Sequence, residues 1–145
     1  MPDDQALRLD RQICFPLYAA ANAMIRLYRP LLDELGLTYP QYLVMLVLWE
    51  RDRRSVGELG AALFLDSGTL TPLLKRLQAA GLVTRERDVE DERRVFVALT
   101  AAGRRLRVRA KCVPETLLGR IGIPASDLIA LREQLQGLIV AIDAA

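Results

Sequence analysis

The feature that most constrains the fold is a helix followed directly by a charged hairpin, within residues 66–103. The helix is predicted to begin near Asp66–Thr71 and to end at Gly81, because glycine commonly follows a helix. Two short apolar-rich strands come next, Leu82–Arg87 and Arg94–Leu99, and the turn between them is almost entirely charged. This order is typical of a winged helix-turn-helix, whose helix enters the major groove while its hairpin contacts the neighbouring backbone or minor groove. The sequence therefore predicts DNA binding.

The distribution of charge supports this interpretation. The whole chain has 20 Lys/Arg and 18 Asp/Glu, a net charge of only +2. Residues 75–111 hold 11 of the basic residues and 5 of the acidic ones, a local charge of +6, which leaves 9 basic and 13 acidic residues, or −4, in the remainder. Positive charge is thus concentrated in the segment where contacts to phosphate would need it.

Length and composition exclude several classes of protein. A chain of 145 residues suits one domain, predicted over 1–145. The longest apolar run, Tyr42–Trp49, is far below the roughly 20 residues of a membrane span, so we expect no membrane partner and a cytoplasmic location. With no histidine and no Cys-x-x-Cys, neither a metal site nor a cofactor is expected. Two cysteines argue against a disulfide framework and leave redox chemistry open.

Apolar periodicity predicts a first helix over residues 10–33, but Pro16 complicates its start. Proline fits the first turn of a helix and not its interior, so the helix either starts near residue 14 or kinks at Pro16, and we prefer the first option. Thr38 and Gln41 form a capping box that opens a second helix, whose body is apolar on every side and is expected at the centre of the domain.

Two short helices should form the helix-turn-helix proper. Ser55 and Glu58 resemble a second capping box, which opens a helix over 55–63; Phe64–Asp66 is the tight turn, and the reading helix covers 67–80. The start of that helix stays open, because either Asp66 or Thr71 could cap it. The predicted winged helix-turn-helix core spans 34–100.

The remaining helices are expected to join two chains. Thr100 should cap a fifth helix that is kinked at Pro114, and a last helix should begin near Pro124–Ser126. Both carry apolar stripes beyond what a small monomer easily covers, so residues 1–33 and 101–145 are predicted to form a dimer interface. The alternative is that these helices pack only on their own core. A two-fold dimer would also match two-fold DNA half-sites.

Several motifs resemble known families. Asp91–Arg93 and Leu99–Gly103 are similar to the D-x-R…L-T-x-x-G signature of MarR-family repressors, and the mainly α layout with one small β-hairpin wing agrees along the whole chain. Four further segments resemble the organic hydroperoxide regulator (OhrR) branch, namely Cys14–Phe15, Tyr28–Asp33, Leu37–Leu43 and Phe64–Lys75. Members of that branch are dimeric repressors that sense organic hydroperoxides through one N-terminal cysteine.

The resemblance assigns roles to the sensing residues. It implies that Cys14 is the reactive thiolate and that Tyr28 and Tyr39 of the partner chain donate hydrogen bonds to it, with Tyr18 as a weaker third donor. The plain alternative is that Cys14 is a small buried core residue. The resemblance also makes Cys112 a possible resolving cysteine. In the two-cysteine members of the branch the resolving residue lies nearer the loop before the last helix, and that loop contains no cysteine here. Low-molecular-weight thiols are the other possible resolving partner.

The predicted DNA contacts fall in two groups. Short hydroxyls at the start of the reading helix suit phosphates or base edges, while basic residues farther along suit the backbone. The resemblance implies that Arg93 enters the minor groove and that Asp91 holds the arginine or the hairpin. The full set is Ser67, Thr69, Thr71, Lys75, Arg76, Arg85, Arg87, Asp91, Arg93 and Arg94.

The resulting hypothesis is a repressor that leaves its operator when an organic hydroperoxide oxidises Cys14, and not an enzyme. Two alternatives stay open. One is a MarR-type repressor released by a small phenolic or carboxylate ligand. The other, a thiol peroxidase, is disfavoured because no arginine–threonine peroxidatic motif surrounds Cys14.

Overall fold

The computed structural model describes residues 4–145 and has the predicted fold, mainly α with a small antiparallel sheet. The described residues divide into two compact units, one ending at Lys111 and the other covering 112–145. None of their helices is both long and apolar enough to cross a membrane. The elements in chain order are α1 Cys14–Asp33, α2 Tyr39–Glu50, β1 Arg54–Ser55, α3 Val56–Leu63, α4 Ser67–Ala79, β2 Val83–Arg87, β3 Val95–Leu99, α5 Ala101–Ala110, α6 Val113–Ile121 and α7 Ala125–Asp143.

The sheet is the wing predicted from the sequence, with one extra strand. Its order is β1-β3-β2, and both pairings are antiparallel. The hairpin runs in register from Val83 opposite Leu99 to Arg87 opposite Val95. The extra strand, β1, pairs Arg54 with Val97 and was not predicted, because two residues give no alternating pattern.

The core of the first unit lies between α2, α3, α4 and the sheet. Helix α2 opens with the predicted capping box, in which Gln41 donates from its backbone to Thr38 Oγ1 at 3.4 Å and its side chain accepts from Thr38 N at 3.0 Å. The expected central position of α2 is confirmed, although Leu46 stays 39% exposed. The largest fully buried side chains of the core are Leu32, Val44, Met45, Leu48, Leu59, Leu70, Leu74, Leu77, Val83 and Val97.

Helix α1 starts where Pro16 allows it to start. The prediction of a helix from residue 10 is wrong: short 3-10 helices occupy Asp4–Leu7 and Leu9–Arg11, and α1 begins at Cys14. The preferred interpretation of Pro16 is confirmed, because the proline lies in the first turn, where its missing N–H leaves no helical bond unmade. Residues 1–3, the start of the predicted 1–33 region, lie outside the described residues.

Two further predictions need correction. The helix expected from Thr100 onward is not one kinked helix but two, α5 and α6, separated by a turn at Lys111 and Cys112. Pro114 stands in the first turn of α6, so it starts a helix instead of bending one. At α3, Ser55 caps Glu58 N at 3.1 Å as predicted, but the Glu58 carboxylate makes ion pairs elsewhere and does not complete a capping box.

Candidate functional site

Cys14 is an exposed side chain and not a core residue. It is the first residue of α1, and no side chain caps this helix start at Ile13. The α-helix dipole places partial positive charge at such a terminus. Tyr18, one turn farther along α1, is also exposed. The alternative that Cys14 is a small buried core residue is therefore wrong for the single chain.

Tyr28 and Tyr39, the predicted pair of donors, lie next to each other. Their ring centroids are 5.0 Å apart, and Tyr42 contacts both, at 5.8 Å from Tyr28 and 6.5 Å from Tyr39. Burial raises the pKa of Tyr28 to about 12, and the charges that Tyr39 and Tyr42 would carry add to this. Burial likewise raises the pKa of Tyr39 and Tyr42. All three phenols are therefore protonated hydrogen-bond donors near neutral pH.

Cys14 and Tyr28 stand at opposite ends of the same helix. Fourteen residues separate them on α1, which corresponds to roughly 21 Å along the helix axis at about 1.5 Å per residue. No tyrosine side chain spans that distance. Tyr39 contacts Tyr28 and is therefore also remote from the sulfur. A bond from either phenol to a Cys14 sulfur requires the sulfur of a second chain.

A small cavity lies beside the tyrosines. Its volume is about 220 Å³, and its walls come from α1, the segment after α1 and the start of α2, with Arg29 and Asp33 as charged groups and Tyr39 among the lining residues. Ligand pockets usually measure about 300–1,000 Å³, so this cavity suits only a small molecule. The other lining residues are Ile25, Leu32, Leu37, Thr38 and Pro40.

The start of the reading helix, left open by the sequence, is fixed by Asp66. Its Oδ1 accepts from Thr69 N at 2.7 Å, and this bond lowers the pKa of the carboxyl group. Ser67 and Thr69 are exposed in the first turn. The alternative cap, Thr71, lies inside α4 and its hydroxyl donates to the Ser67 carbonyl at 2.7 Å. Of the three predicted hydroxyls, Ser67 and Thr69 have side chains without such a bond to the helix backbone.

The rest of α4 separates an apolar face from a basic one. Leu70, Leu73, Leu74 and Leu77 are buried, whereas Lys75 and Arg76 are exposed. Near the end of the helix, Gln78 Oε1 accepts from Arg85 Nε at 2.7 Å, so a strand arginine is held against the reading helix. Arg87, at the end of β2, is exposed.

The wing tip is organised by Asp91. Its Oδ1 accepts from the backbone N and from Nε of Arg93, at 3.1 and 3.2 Å, and its carbonyl accepts from Arg94 N at 2.9 Å. Asp91 thus holds both the turn and the arginine. The Arg93 side chain is 92% exposed. Arg94 is 3.8 Å from Glu58 and stacks over Phe96 at 5.2 Å.

Sequence reasoning missed residues that hold others in place. Gln78 positions Arg85, Glu58 pairs with Arg51 at 2.8 Å as well as with Arg94, and Tyr42 completes the tyrosine cluster. A signal existed only for Tyr42, which follows Tyr39 by three residues and so shares its helix face. The other two contacts join elements that are separate in sequence.

Two further site expectations concern Cys112 and metals. Cys112 is exposed and precedes α6 in the second compact unit, whereas Cys14 belongs to the first. Across residues 4–145, His, Cys, Asp and Glu side chains form no group able to hold a metal ion.

Comparisons with known proteins found similar transcriptional regulators. Residues 26–108 match the family described as transcriptional regulator SarA/Rot. The organic hydroperoxide resistance transcriptional regulator of Bacillus subtilis is 47% identical over 133 residues, covering 92% of this chain and 90% of its own. The HTH-type transcriptional regulator TtmR of Methylorubrum extorquens is 53% identical, covering 93% and 69%. The structure of reduced AbfR bound to DNA is similar at a TM-score of 0.80, with 32% identity and 96% of each chain covered.

Proposed function

Because the chain belongs to the MarR-type winged-helix transcriptional regulators, in the organic hydroperoxide resistance branch, we propose that it is a dimeric repressor that releases its operator when Cys14 is oxidised. The observation that carries this proposal is the placement of an exposed Cys14 at a helix start, far along α1 from a cluster of protonated tyrosines. Its partners are operator DNA, a second copy of the chain and an organic hydroperoxide, and its location is the cytoplasm.

The chemistry proposed at Cys14 is a two-electron oxidation. The thiolate attacks the terminal oxygen of the hydroperoxide, the O–O bond breaks, and the sulfur becomes a sulfenic acid while the leaving alkoxide takes a proton from water. The sulfenic acid then condenses with a second thiol, forming a disulfide and releasing water. That thiol is supplied by a low-molecular-weight compound or by Cys112. The exposure of Cys14 gives both reactants access.

Two chains are needed to complete the reduced site. Since Tyr28 lies roughly 21 Å along α1 from Cys14 of its own chain, its phenol can meet only the sulfur of the partner. The raised pKa of Tyr28 and Tyr39 keeps both phenols as donors to a thiolate. Oxidation removes the negative charge that these bonds require. The two chains then lose contacts that set the spacing of their reading helices.

Operator binding before and after one equivalent of an organic hydroperoxide tests the proposal. Wild-type protein should lose its operator, Cys14→Ser should bind and never release it, and Cys112→Ser serves as the matched cysteine control that still releases. If Cys14→Ser also dissociates under peroxide, Cys14 is not the trigger. On a non-reducing gel, most oxidised protein should run as monomer when a small thiol is present; a quantitative covalent dimer that Cys112→Ser abolishes would assign resolution to Cys112.

The tyrosines have their own test. Tyr28→Phe and Tyr39→Phe should slow the alkylation of Cys14 near neutral pH and leave the reduced affinity for operator nearly intact, because each removes one donor to the thiolate. Tyr18→Phe should have the smaller effect. Alkylation rates that are identical across the pH range in all three variants would count against the tyrosine bonds.

The same assay separates the alternative functions. A repressor released by a phenolic or carboxylate ligand would ignore peroxide and dissociate with ligand alone, and the cavity of about 220 Å³ beside Tyr39 leaves room for only a small one. A thiol peroxidase would consume many equivalents of peroxide per Cys14. The proposed sensor reacts once per thiol until it is reduced.

A further inference from the structure

Four aromatic rings form a continuous column inside the first unit. It begins with Tyr28 and Tyr39, passes through Tyr42, and ends at Trp49, whose ring centroid is 6.4 Å from that of Tyr42 in an edge-on arrangement of 69°. Tyr42 is only 2% exposed. The last three rings belong to α2, where the ten residues from Tyr39 to Trp49 cover about 15 Å of helix axis.

The far end of the column is fixed to the start of α5. Trp49 Nε1 donates to the Gly103 carbonyl at 2.9 Å, across 54 residues of sequence. Gly103 itself packs so closely that a Cβ there would overlap the Leu82 carbonyl oxygen. Thr100 completes the junction, because its hydroxyl donates to the Gly81 carbonyl at 2.6 Å and its backbone N donates to the Leu82 carbonyl at 3.0 Å.

This junction adjoins both parts of the DNA-reading surface. Gly81 and Leu82 join α4 to β2, and Thr100 directly follows β3. A shift of the Gly103 carbonyl therefore acts on the end of the reading helix and on the base of the wing together. Packed interiors of this kind resist compression, so a displacement at one end is passed on instead of being absorbed.

We propose that Tyr42 and Trp49 are positioning residues that couple the state of the Tyr28–Tyr39 pair to the junction of α4, the wing and α5. This inference rests on the proposed function, in which oxidation of Cys14 changes what Tyr28 and Tyr39 bind. Tyr42 acts through ring contact with both tyrosines. Trp49 acts through its N–H, which holds the Gly103 carbonyl. Neither residue touches the peroxide.

The test compares operator Kd before and after oxidation in four proteins. The first is wild type. In Trp49→Phe an aromatic ring stays and the N–H donor is removed. Tyr42→Leu removes the ring at position 42, and the matched control Tyr42→Phe keeps that ring. The ratio of oxidised to reduced Kd should fall about 5-fold or more in Trp49→Phe and Tyr42→Leu, within the usual range of allosteric coupling, and persist in Tyr42→Phe. In the double variant Tyr42→Leu/Trp49→Phe, the ratio of oxidised to reduced Kd should fall no further than in either single variant. The rate of Cys14 oxidation should stay at the wild-type value in Trp49→Phe, whose side chain contacts neither Tyr28 nor Tyr39. A purely structural role would alter stability and leave the ratio of Kd values unchanged.

The outcomes separate the two proposals. If wild-type protein keeps its operator after stoichiometric oxidation, the proposed function fails and the inference fails with it. If wild type releases and Trp49→Phe releases by the same factor, only the inference is overturned. Trp49 is also the sole tryptophan of the chain, so its fluorescence reports on the column in unaltered protein. Its emission should change on oxidation in wild type and stay constant in Cys14→Ser; constant emission during release would overturn the inference without any substitution in the column.

Discussion

At the scale of single residues, the side chains proposed to sense hydroperoxide differ in how strongly their surroundings constrain them. Cys14 is exposed at a helix start, whereas Tyr28, Tyr39 and Tyr42 are packed against one another. Burial raises the pKa of all three phenols and so favours their neutral form. In the proposed function, the chemistry is therefore divided between an accessible nucleophile and donors that are packed together within each chain.

The raised pKa of Tyr28 predicts a loss of stability at high pH. Its value of about 12 in the fold exceeds the ordinary tyrosine value of 10.0, so the neutral phenol favours the folded state. That contribution is fully present below pH 10 and is lost as the pH rises through 12. Denaturation midpoints at pH 8 and pH 11.5 should therefore differ less in Tyr28→Phe than in wild type. Tyr18→Phe, at an exposed site, is the control. If the difference between the two midpoints decreased equally in Tyr18→Phe, the effect could not be assigned to the burial of Tyr28.

Arg93 and Lys75 should affect DNA binding in different ways. Arg93→Ala should cost about 1–3 kcal/mol on the operator, because a minor-groove arginine depends on the width and potential of that groove. Lys75→Ala should weaken all duplexes alike and reduce the salt slope by about one unit. The measurement is affinity for operator and for random duplex across a salt series. An equal loss on both duplexes for Arg93→Ala would make Arg93 a phosphate contact only.

At the scale of elements, the L-T-x-x-G motif of residues 99–103 is explained by packing. Thr100 caps α5 at Gly103 N, at 3.1 Å, and bonds to the carbonyl before β2, while Gly103 allows α5 to approach that turn. Glycine is required there for space and not for an unusual backbone angle. The motif therefore fixes where the wing ends and the outgoing helix begins.

Gly103→Ala should destabilise the protein by about 1–3 kcal/mol, because the added methyl group overlaps the Leu82 carbonyl and the backbone must shift. Gly119→Ala is the matched control: it is also helical, and nothing lies within 4 Å of its added Cβ. That control should gain up to about 1 kcal/mol from helix propensity. Urea unfolding measures the change in the free energy of unfolding for both variants. Similar shifts of the same sign would show that crowding at Gly103 is not decisive.

Local signals predicted most of the fold, and their limits are physical. Capping residues gave the starts of α2, α3 and α5 correctly, because a cap is decided by neighbours within three residues. The turn between α5 and α6 was missed because an apolar stripe continues through it at helical spacing. At the site, Cys14, Tyr28 and Tyr39 came from motifs, whereas the contacts of Gln78 with Arg85 and of Trp49 with Gly103 depend on tertiary structure.

At the scale of the whole molecule, the apolar surface of α7 calls for a partner. None of its residues is buried, and several large apolar side chains are more than a third exposed. Exposed apolar side chains in this number on one helix are typical of a surface that another chain covers. The exposed set is Ile129, Leu131, Ile139, Val140 and Ile142.

Sedimentation equilibrium should therefore give twice the chain mass of 16.2 kDa. Leu131→Asp should shift the protein toward monomer, because a charge would be buried in the interface. Arg132→Asp, at the neighbouring exposed position, is the control and should remain dimeric. Monomeric wild-type protein at micromolar concentration would refute the two-chain site, and with it the proposed hydrogen bond from Tyr28 to Cys14 of the partner chain.

The cap of the reading helix has a consequence for how DNA can be approached. The free N–H groups at a helix start ordinarily attract anions such as phosphate. In α4 that place is taken by the Asp66 carboxylate, whose pKa is lowered by the hydrogen bond from Thr69 N. A phosphate is therefore repelled from the tip of this helix. We therefore expect α4 to meet the groove through its exposed side chains, such as Ser67, Thr69 and Lys75, so that the residue capping the helix also limits how DNA can approach it.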